Sequence, residues 1–106
     1  MWISTLQNDD GSIEIYFTGL SCWDMFKRIM GILVEEKECE VLEVIERDII
    51  TDSAIDILYK LGETIFTLRH DDMLGSRLYA PDAQHKEELE CLAEGVLKQM
   101  GSGWEG

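Results

Sequence analysis

The sequence predicts an α+β fold, a single-domain sandwich in which three helices cover a mixed sheet of about five strands. The chain has 106 residues and is 45% hydrophobic, which suits one modest core. Residues 12–18 alternate between apolar and polar side chains, as a half-buried strand does. Residues 83–100 carry apolar side chains at the spacing of an amphipathic helix. We therefore expect the order β-β-α-β-α-β-β-α over residues 1–100 and a flexible tail over 101–106.

The first half of the chain predicts a hairpin, a helix and a strand. A short strand over 1–7 and the strand over 12–18 flank Asn8-Asp9-Asp10-Gly11, a typical hairpin turn. Ser21 is a plausible N-cap for a helix over 22–35, in which Gly31 would allow close packing. The apolar residues at helical spacing there are Trp23, Phe26, Met30, Leu33 and Val34. Adjacent apolar residues blur the alternation in the next strand, 40–47, so a bulge and a strand buried on both faces both fit.

The second half predicts two helices separated by a hairpin. Asp52 or Ser53 can cap a short helix over 54–61, which Gly62 would end. Strands over 64–69 and 76–80 flank a loop, and Asp82 would cap the last helix. The apolar stripe of that helix comprises Leu89, Leu92, Ala93, Val96, Leu97 and Met100. The strand–helix–strand unit over 12–47 should be a right-handed crossover if its strands lie parallel in one sheet.

Acidic residues far outnumber basic ones. The chain has 22 Asp and Glu against nine Lys and Arg, and its formal net charge is −13. Solubility needs a magnitude of only about 2–8, and charge of one sign repels itself, so the excess indicates a positively charged partner. Nucleic acid as a direct ligand and anionic membrane are both disfavoured, because phosphates are bound by basic surfaces.

The acidic stretch 35–48 is the predicted centre of a partner-binding surface. An ordinary solvated helix end and exposed strand face is the alternative interpretation. Trp104 could add an aromatic contact or fold back onto the body of the protein. The predicted contact set is Glu35, Glu36, Glu38, Glu40, Glu43, Glu46, Asp48, Asp71, Asp72 and Trp104.

Catalytic and metal chemistry have one local candidate. His70-Asp71-Asp72 could contribute to a metal site with His85 and Glu88, but neighbouring strand residues alternate faces and the alternative is a solvated loop. The cysteines (Cys22, Cys39 and Cys91) lack the positive surroundings that make a thiol reactive. We find no catalytic or cofactor motif, and we expect no enzyme activity, cofactor or bound metal.

The compartment follows from the same features. Three cysteines without a paired spacing give no disulfide framework, no apolar run is long enough to span a membrane, and the N-terminus does not resemble a signal peptide. We expect a cytoplasmic protein with reduced thiols.

In size, charge and acidic runs such as Glu35-Glu36-Lys37-Glu38-Cys39-Glu40, the chain resembles the immunity proteins of bacterial toxin–immunity systems, including contact-dependent growth inhibition. The resemblance covers the whole chain and is one of general profile. It implies a small cytosolic α/β protein that neutralises a basic toxin domain, often a nuclease, by forming a stoichiometric complex.

Other functions fit the same composition. A nucleic-acid mimic of the anti-restriction or anti-CRISPR type would direct its carboxylates at a host nucleic-acid-binding complex. A secretion chaperone would bind an extended segment of an effector, normally as a dimer. A small metal-dependent enzyme centred on His70, Asp71 and Asp72 is the remaining alternative, and the oligomeric state stays open.

Overall fold

The computed structural model describes residues 2–18, 23–49, 52–71 and 75–104. Along these residues the structure contains six strands and two helices, which confirms the α+β class. The elements are β1 (Trp2–Gln7), β2 (Ile13–Thr18), α1 (Trp23–Glu35), β3 (Glu40–Ile49), β4 (Asp52–Leu61), β5 (Thr64–Asp71), β6 (Gly75–Ala80) and α2 (Lys86–Trp104).

The strands form one antiparallel sheet with the order β1-β2-β6-β5-β4-β3. The expectation of a mixed sheet is therefore wrong. β2 and β3 point the same way, but three strands lie between them, and every neighbouring pair is antiparallel. The connection through α1 carries the chain from the second strand of the sheet to its far edge. β3 to β6 then return as a meander, so that β3 has one neighbour, β4, among the described strands.

The prediction of a helix over 54–61 is wrong, because these residues belong to the strand β4. Ile55, Ile57 and Tyr59 point to one face of the sheet and pair in register with β3 on one side and β5 on the other. The apolar residues of this segment fit the spacing of a helix as well as the alternation of a strand. Its pairing with β3 and β5 selects the strand. The described chain thus has two helices in place of the three expected.

Both helices lie on one face of the sheet and enclose the core. α2 packs on β1 and β2, α1 packs on β6, and the helices contact each other. α2 buries Leu89, Leu92, Ala93, Val96 and Met100, as its spacing predicts, and it continues through Trp104 into the segment expected to be a tail. The rest of the core comprises Ile13, Ile15, Phe17, Met25, Phe26, Ile29, Ile32, Leu33, Cys39, Ile57, Tyr59, Phe66, Leu68, Leu78 and Ala80.

The buried stripe of α1 is rotated relative to the prediction. Phe26 and Leu33 are buried as expected, but Val34 is exposed and Met30 only half-buried, while Met25, Ile29 and Ile32 face the core. Among the described residues, apart from Gly31, its two chain neighbours and the backbone of its own helix, no atom lies within 4 Å of the position that a Cβ at Gly31 would occupy. The close packing expected at Gly31 is therefore absent.

The turn between β1 and β2 has the predicted position. Gly11 has a φ of +90°, a conformation that side-chain-bearing residues rarely adopt. The amide and hydroxyl groups of Ser12 donate to Asp10 Oδ1 at 2.9 and 2.6 Å, and the pKa of Asp10 is lowered by these hydrogen bonds. Asp10 therefore has a local structural role in the hairpin.

Candidate protein-binding surface

The end of α1 presents the first acids of the predicted surface. α1 ends at Glu35, and the amides of Glu36 and Lys37 both donate to the Ile32 carbonyl, at 2.9 and 3.0 Å. Glu38 adopts a left-handed conformation with a φ of 57°, and the chain reverses there towards β3. The next residue, Cys39, is buried in the core. The three glutamates of this connection, at positions 35, 36 and 38, are consequently held on the outside of the molecule.

β3 continues the acidic surface along the edge of the sheet. Its register with β4 shifts between Val41 and Glu43, so Leu42 occupies a bulge, one of the two predicted outcomes for this strand. Residues directly opposite each other on antiparallel strands share a face. Glu43, opposite Leu58, lies with Glu40 and Ile45 on the face away from the helices. Val41, Val44 and Glu46 lie on the helix face.

β3 exposes both aliphatic and acidic side chains. Its apolar residues are 43–52% exposed: Val41 45%, Leu42 44%, Val44 52% and Ile45 43%. The alternative of a strand buried on both faces is wrong. Glu40, Glu43 and Glu46 are exposed among these aliphatic side chains. The edge of the sheet is therefore both acidic and apolar, which is the composition of a protein-docking surface.

We call the surface formed by the glutamates at 35, 36, 38, 40, 43 and 46 together with Val41, Leu42, Val44 and Ile45 the β3 surface. Among the residues that the structure describes, none of these six glutamates forms an ion pair. Four basic side chains lie close to it: Lys27 and Arg28 of α1, Lys37 between Glu36 and Glu38, and Lys60 opposite Glu40. Six carboxylates against these four basic groups leave the β3 surface with a net negative charge, and Arg47 and Asp48, next along the chain, add one charge of each sign.

An apolar groove of about 320 Å³ runs beside this surface, between α1 and the β3–β4 pair. Its aliphatic lining comes from Met30 and Val34 of α1, Val41 and Val44 of β3, and Ile57 of β4. The groove exists because α1 turns its buried stripe towards β6 and leaves Met30 and Val34 partly uncovered above the outer strands. Glu35, Gly31 and Lys27 complete its α1 wall.

Tyr59 lines the same groove and is itself fully buried. Its ring stacks on Phe66 with the centroids 5.6 Å apart. Its hydroxyl has no hydrogen-bond partner among the described residues, and burial raises the pKa of Tyr59 to about 12, with a smaller contribution from the charge of Cys39. A buried hydroxyl without a partner costs free energy, so this position is locally unfavourable in the free protein.

Asp71, predicted as a contact residue, lies away from the β3 surface in an internal ion-pair cluster. Arg77 donates to Asp71 at 3.0 Å and to Glu14 at 3.2 Å on the face of the sheet opposite the helices. The neighbouring Arg69 pairs with Asp56 at 3.0 Å. The Asp71 side chain is only 13% exposed. Its charge is therefore compensated within the fold, unlike the charges of the β3 surface.

Three other predicted contacts have no described side chain. Asp72 lies outside the described residues. Asp48 belongs to the backbone of β3, close to the acidic edge, and Trp104 is the last residue of α2.

The candidate catalytic groups are spread over different parts of the fold. His70 is buried on the helix face, where Nδ1 lies 2.7 Å from Ser76 Oγ and the ring packs against Trp23 and Phe26, whereas Asp71 points to the opposite face. His85 immediately precedes α2, and its Nδ1 lies 3.3 Å from Glu88 Oε1. Over the described parts of the chain, no three His, Cys, Asp or Glu side chains are arranged to hold a metal ion.

The described cysteines differ in exposure. Cys39 is buried, and burial raises the pKa of its thiol, which disfavours the reactive thiolate. Cys91 is exposed on α2, and Cys22 lies outside the described residues. In the described part of the chain, no helix has the length and apolar character needed to cross a membrane.

No protein-family model, curated protein or solved structure matches this chain. The β3 surface and the groove are therefore the basis for a function. The sequence predicts the acids of that surface but not the groove or Tyr59, and it assigns Gly31 a packing role in place of a position on the groove wall. The adjacent apolar residues within 40–47 are the one available signal, since a bulge, one of the two structures that they predict, interrupts the regular alternation of buried and exposed side chains.

Proposed function

We propose that this chain is an acidic binding protein of the immunity type, which acts in the cytoplasm and neutralises a basic toxin domain by forming a stoichiometric complex. The observation that carries the proposal is the β3 surface, where six exposed glutamates, none of them ion-paired to a described residue, lie beside four exposed aliphatic side chains. Glutamates that served only solubility would not need to cluster on one edge of the sheet beside an apolar groove.

The two kinds of side chain have different physical roles in the proposed complex. Carboxylates of one sign accelerate the encounter with a positive surface, by about 10–10³-fold at low salt. Aliphatic side chains slow dissociation once they are desolvated, because they bury apolar area at the centre of the interface. A nuclease is the toxin class that suits this surface best, since its substrate-binding cleft must carry Lys and Arg. Carboxylates opposite such a cleft occupy the places of the phosphates.

The proposed contact set is narrower than the one predicted from sequence. It consists of the glutamates at 35, 36, 38, 40, 43 and 46 and the exposed residues of β3, with Asp48 at the end of the strand. Asp71 contributes less, because its carboxylate already pairs with Arg77. Asp72 and Trp104 stay predictions.

The test is co-expression of the chain with the toxin domain encoded beside its gene, with bacterial growth as the readout. We expect the wild-type chain to restore growth and Glu43→Lys/Glu46→Lys to restore it poorly. The matched control is Asp9→Lys/Glu94→Lys, which changes the net charge by the same amount at two exposed sites outside the β3 surface. The control should protect as well as the wild type.

Several results would overturn the proposal. A gene neighbourhood without any toxin would remove the immunity role, and so would a neighbouring toxin that the wild-type chain does not neutralise. Equal protection by the two double variants would show that the position of the carboxylates is irrelevant, and the β3 surface would then not be the binding site.

A further inference from the structure

β3 offers its unpaired edge along ten residues. Among the residues that the structure describes, the strand hydrogen-bonds to β4 alone, so every second backbone N–H and C=O group faces outwards on the other side. Natural edge strands are usually short or protected by lysine, proline or a covering loop. β3 contains neither lysine nor proline, and a single bulge lies near its start. Its charged residues are the acids at 40, 43, 46 and 48 and a single cation, Arg47.

The groove beside this edge has room for a side chain that the protein itself does not supply. Gly31 lies in the interior of α1, where glycine costs about 1 kcal/mol relative to alanine. Nothing lies within 4 Å of its virtual Cβ, so no contact inside the described fold requires a glycine. Gly31 lies on the groove wall, and the absence of a side chain there would let another chain approach α1 closely.

The negative charge of β3 determines which kind of chain can bind along its edge. A second copy would pair its own β3 with this one and bring glutamates on both strands close together, which destabilises a strand pair. An extended segment with alternating basic and apolar residues has the opposite property. Its Lys and Arg side chains would face Glu40 and Glu43, while its apolar side chains, on the helix face beside Val41 and Val44, would reach the groove.

We infer that the basic partner binds by adding an extended segment to the edge of β3 as a seventh strand, with one large apolar side chain in the α1–β3 groove over Gly31. The inference rests on the proposed function and specifies its binding mode. Backbone hydrogen bonds along β3 supply part of the affinity, and the groove and glutamates select the side chains. The apolar side chain of the segment fills the groove between α1 and β3.

The experiment uses a defined peptide probe, an acetylated and amidated heptapeptide Lys-Leu-Lys-Leu-Lys-Leu-Lys. We expect it to bind the full chain and to slow hydrogen exchange at alternate β3 amides by at least tenfold. Gly31→Leu places a side chain in the groove and should weaken binding by at least tenfold. Gly31→Ala is the matched variant, because it makes the same backbone change with only a methyl group, and it should bind like the wild type.

Two further peptides separate the components of the inference. A peptide of the same composition in block order, Lys-Lys-Lys-Lys-Leu-Leu-Leu, retains the charge but cannot alternate, and it should bind at least tenfold more weakly. Glu-Leu-Glu-Leu-Glu-Leu-Glu should not bind. Strand addition would be overturned if the block peptide bound as tightly as the alternating one, or if the alternating peptide bound without slowing hydrogen exchange in β3. Neither outcome would affect the growth-protection test of the proposed function.

Self-association is the last decisive outcome. Sedimentation should show that the free chain does not associate through β3. A dimer that Gly31→Leu or Glu43→Lys/Glu46→Lys alters would show that a second copy occupies the edge, and it would overturn the inference. Absence of binding by the alternating cationic peptide would also overturn it, whatever the chain does in the growth assay.

Discussion

Replacing Tyr59 with phenylalanine should stabilise the protein. The Tyr59 hydroxyl is fully buried and has no partner among the described residues, and a hydroxyl buried in this way costs about 1–3 kcal/mol in proteins. Phenylalanine removes the hydroxyl and retains the stacking on Phe66. We expect Tyr59→Phe to increase the free energy of unfolding at pH 7 by about 1–2 kcal/mol, or the Tm by about 4 °C per kcal/mol.

The same substitution should change the response to alkaline pH. Burial raises the pKa of Tyr59 from its ordinary value of 10.0 to about 12 in the folded state. Above pH 10 the unfolded chain therefore releases this proton while the folded chain keeps it, so folding loses stability as pH rises. The loss amounts to about 1.4 kcal/mol by pH 11. Tyr59→Phe lacks the proton, and its advantage over the wild type should grow by that amount between pH 9 and pH 11.

The assay is urea denaturation at pH 7, 9, 10 and 11. Tyr16→Phe is the matched control at pH 7, because Tyr16 is only partly buried and its hydroxyl donates to Glu14 at 3.2 Å. Burial also raises the pKa of Tyr16, so the pH dependence of Tyr59→Phe is compared with the wild type, which has the same Tyr16. That control should lose about 1 kcal/mol at pH 7. If Tyr59→Phe lowered the free energy of unfolding, the Tyr59 hydroxyl would have to have a hydrogen-bond partner. If the stability difference between Tyr59→Phe and the wild type did not change with pH, the raised pKa of Tyr59 would be contradicted.

Three other changes test the fold. Gly31→Ala should raise the free energy of unfolding by about 1 kcal/mol in urea denaturation, because its methyl group meets nothing within 4 Å; a loss would mean that the helix needs the glycine. Arg77→Met should lower the free energy of unfolding by about 3 kcal/mol, since it removes the guanidinium that pairs with the largely buried carboxylates of Glu14 and Asp71; a change below 1 kcal/mol would contradict this. Added Ca²⁺, Mg²⁺ or Zn²⁺ should leave the Tm unchanged in differential scanning calorimetry, and a rise would reveal a metal site.

Local periodicity predicted the elements in which one period dominates. The alternation of β2 and the apolar stripe of α2 each fit a single structure, and both elements form with the predicted residues buried, although α2 begins at Lys86 and continues to Trp104, beyond the predicted end at residue 100. The prediction for β4 is wrong because its sequence fits two periods. Ala54, Ile55 and Leu58 have helical spacing, whereas Ile55, Ile57 and Tyr59 alternate as in a strand. Pairing with β3 and β5 decides the matter, and such pairing depends on residues distant in sequence.

The candidate surface was predictable in its charge but not in its shape. A run of glutamates between a helix and a strand must lie near solvent, and the six at 35–46 do. The groove arises from the rotation of α1, which brings Met30 and Val34 to the outside, and a helical stripe alone does not fix that rotation within one residue. Asp71 was misplaced for a similar reason, since its pairing with Arg77 depends on the register of β5 and β6.

The rate at which the chain associates with its toxin domain, measured by stopped flow from 20 to 500 mM salt, tests the central claim most directly. If the β3 surface steers a basic partner, Glu43→Lys/Glu46→Lys should associate about tenfold more slowly than the wild type at low salt, and the difference should shrink as salt screens the charges. Asp9→Lys/Glu94→Lys should stay close to the wild type. Equal slowing by both double variants, or rates that do not depend on salt, would contradict the claim.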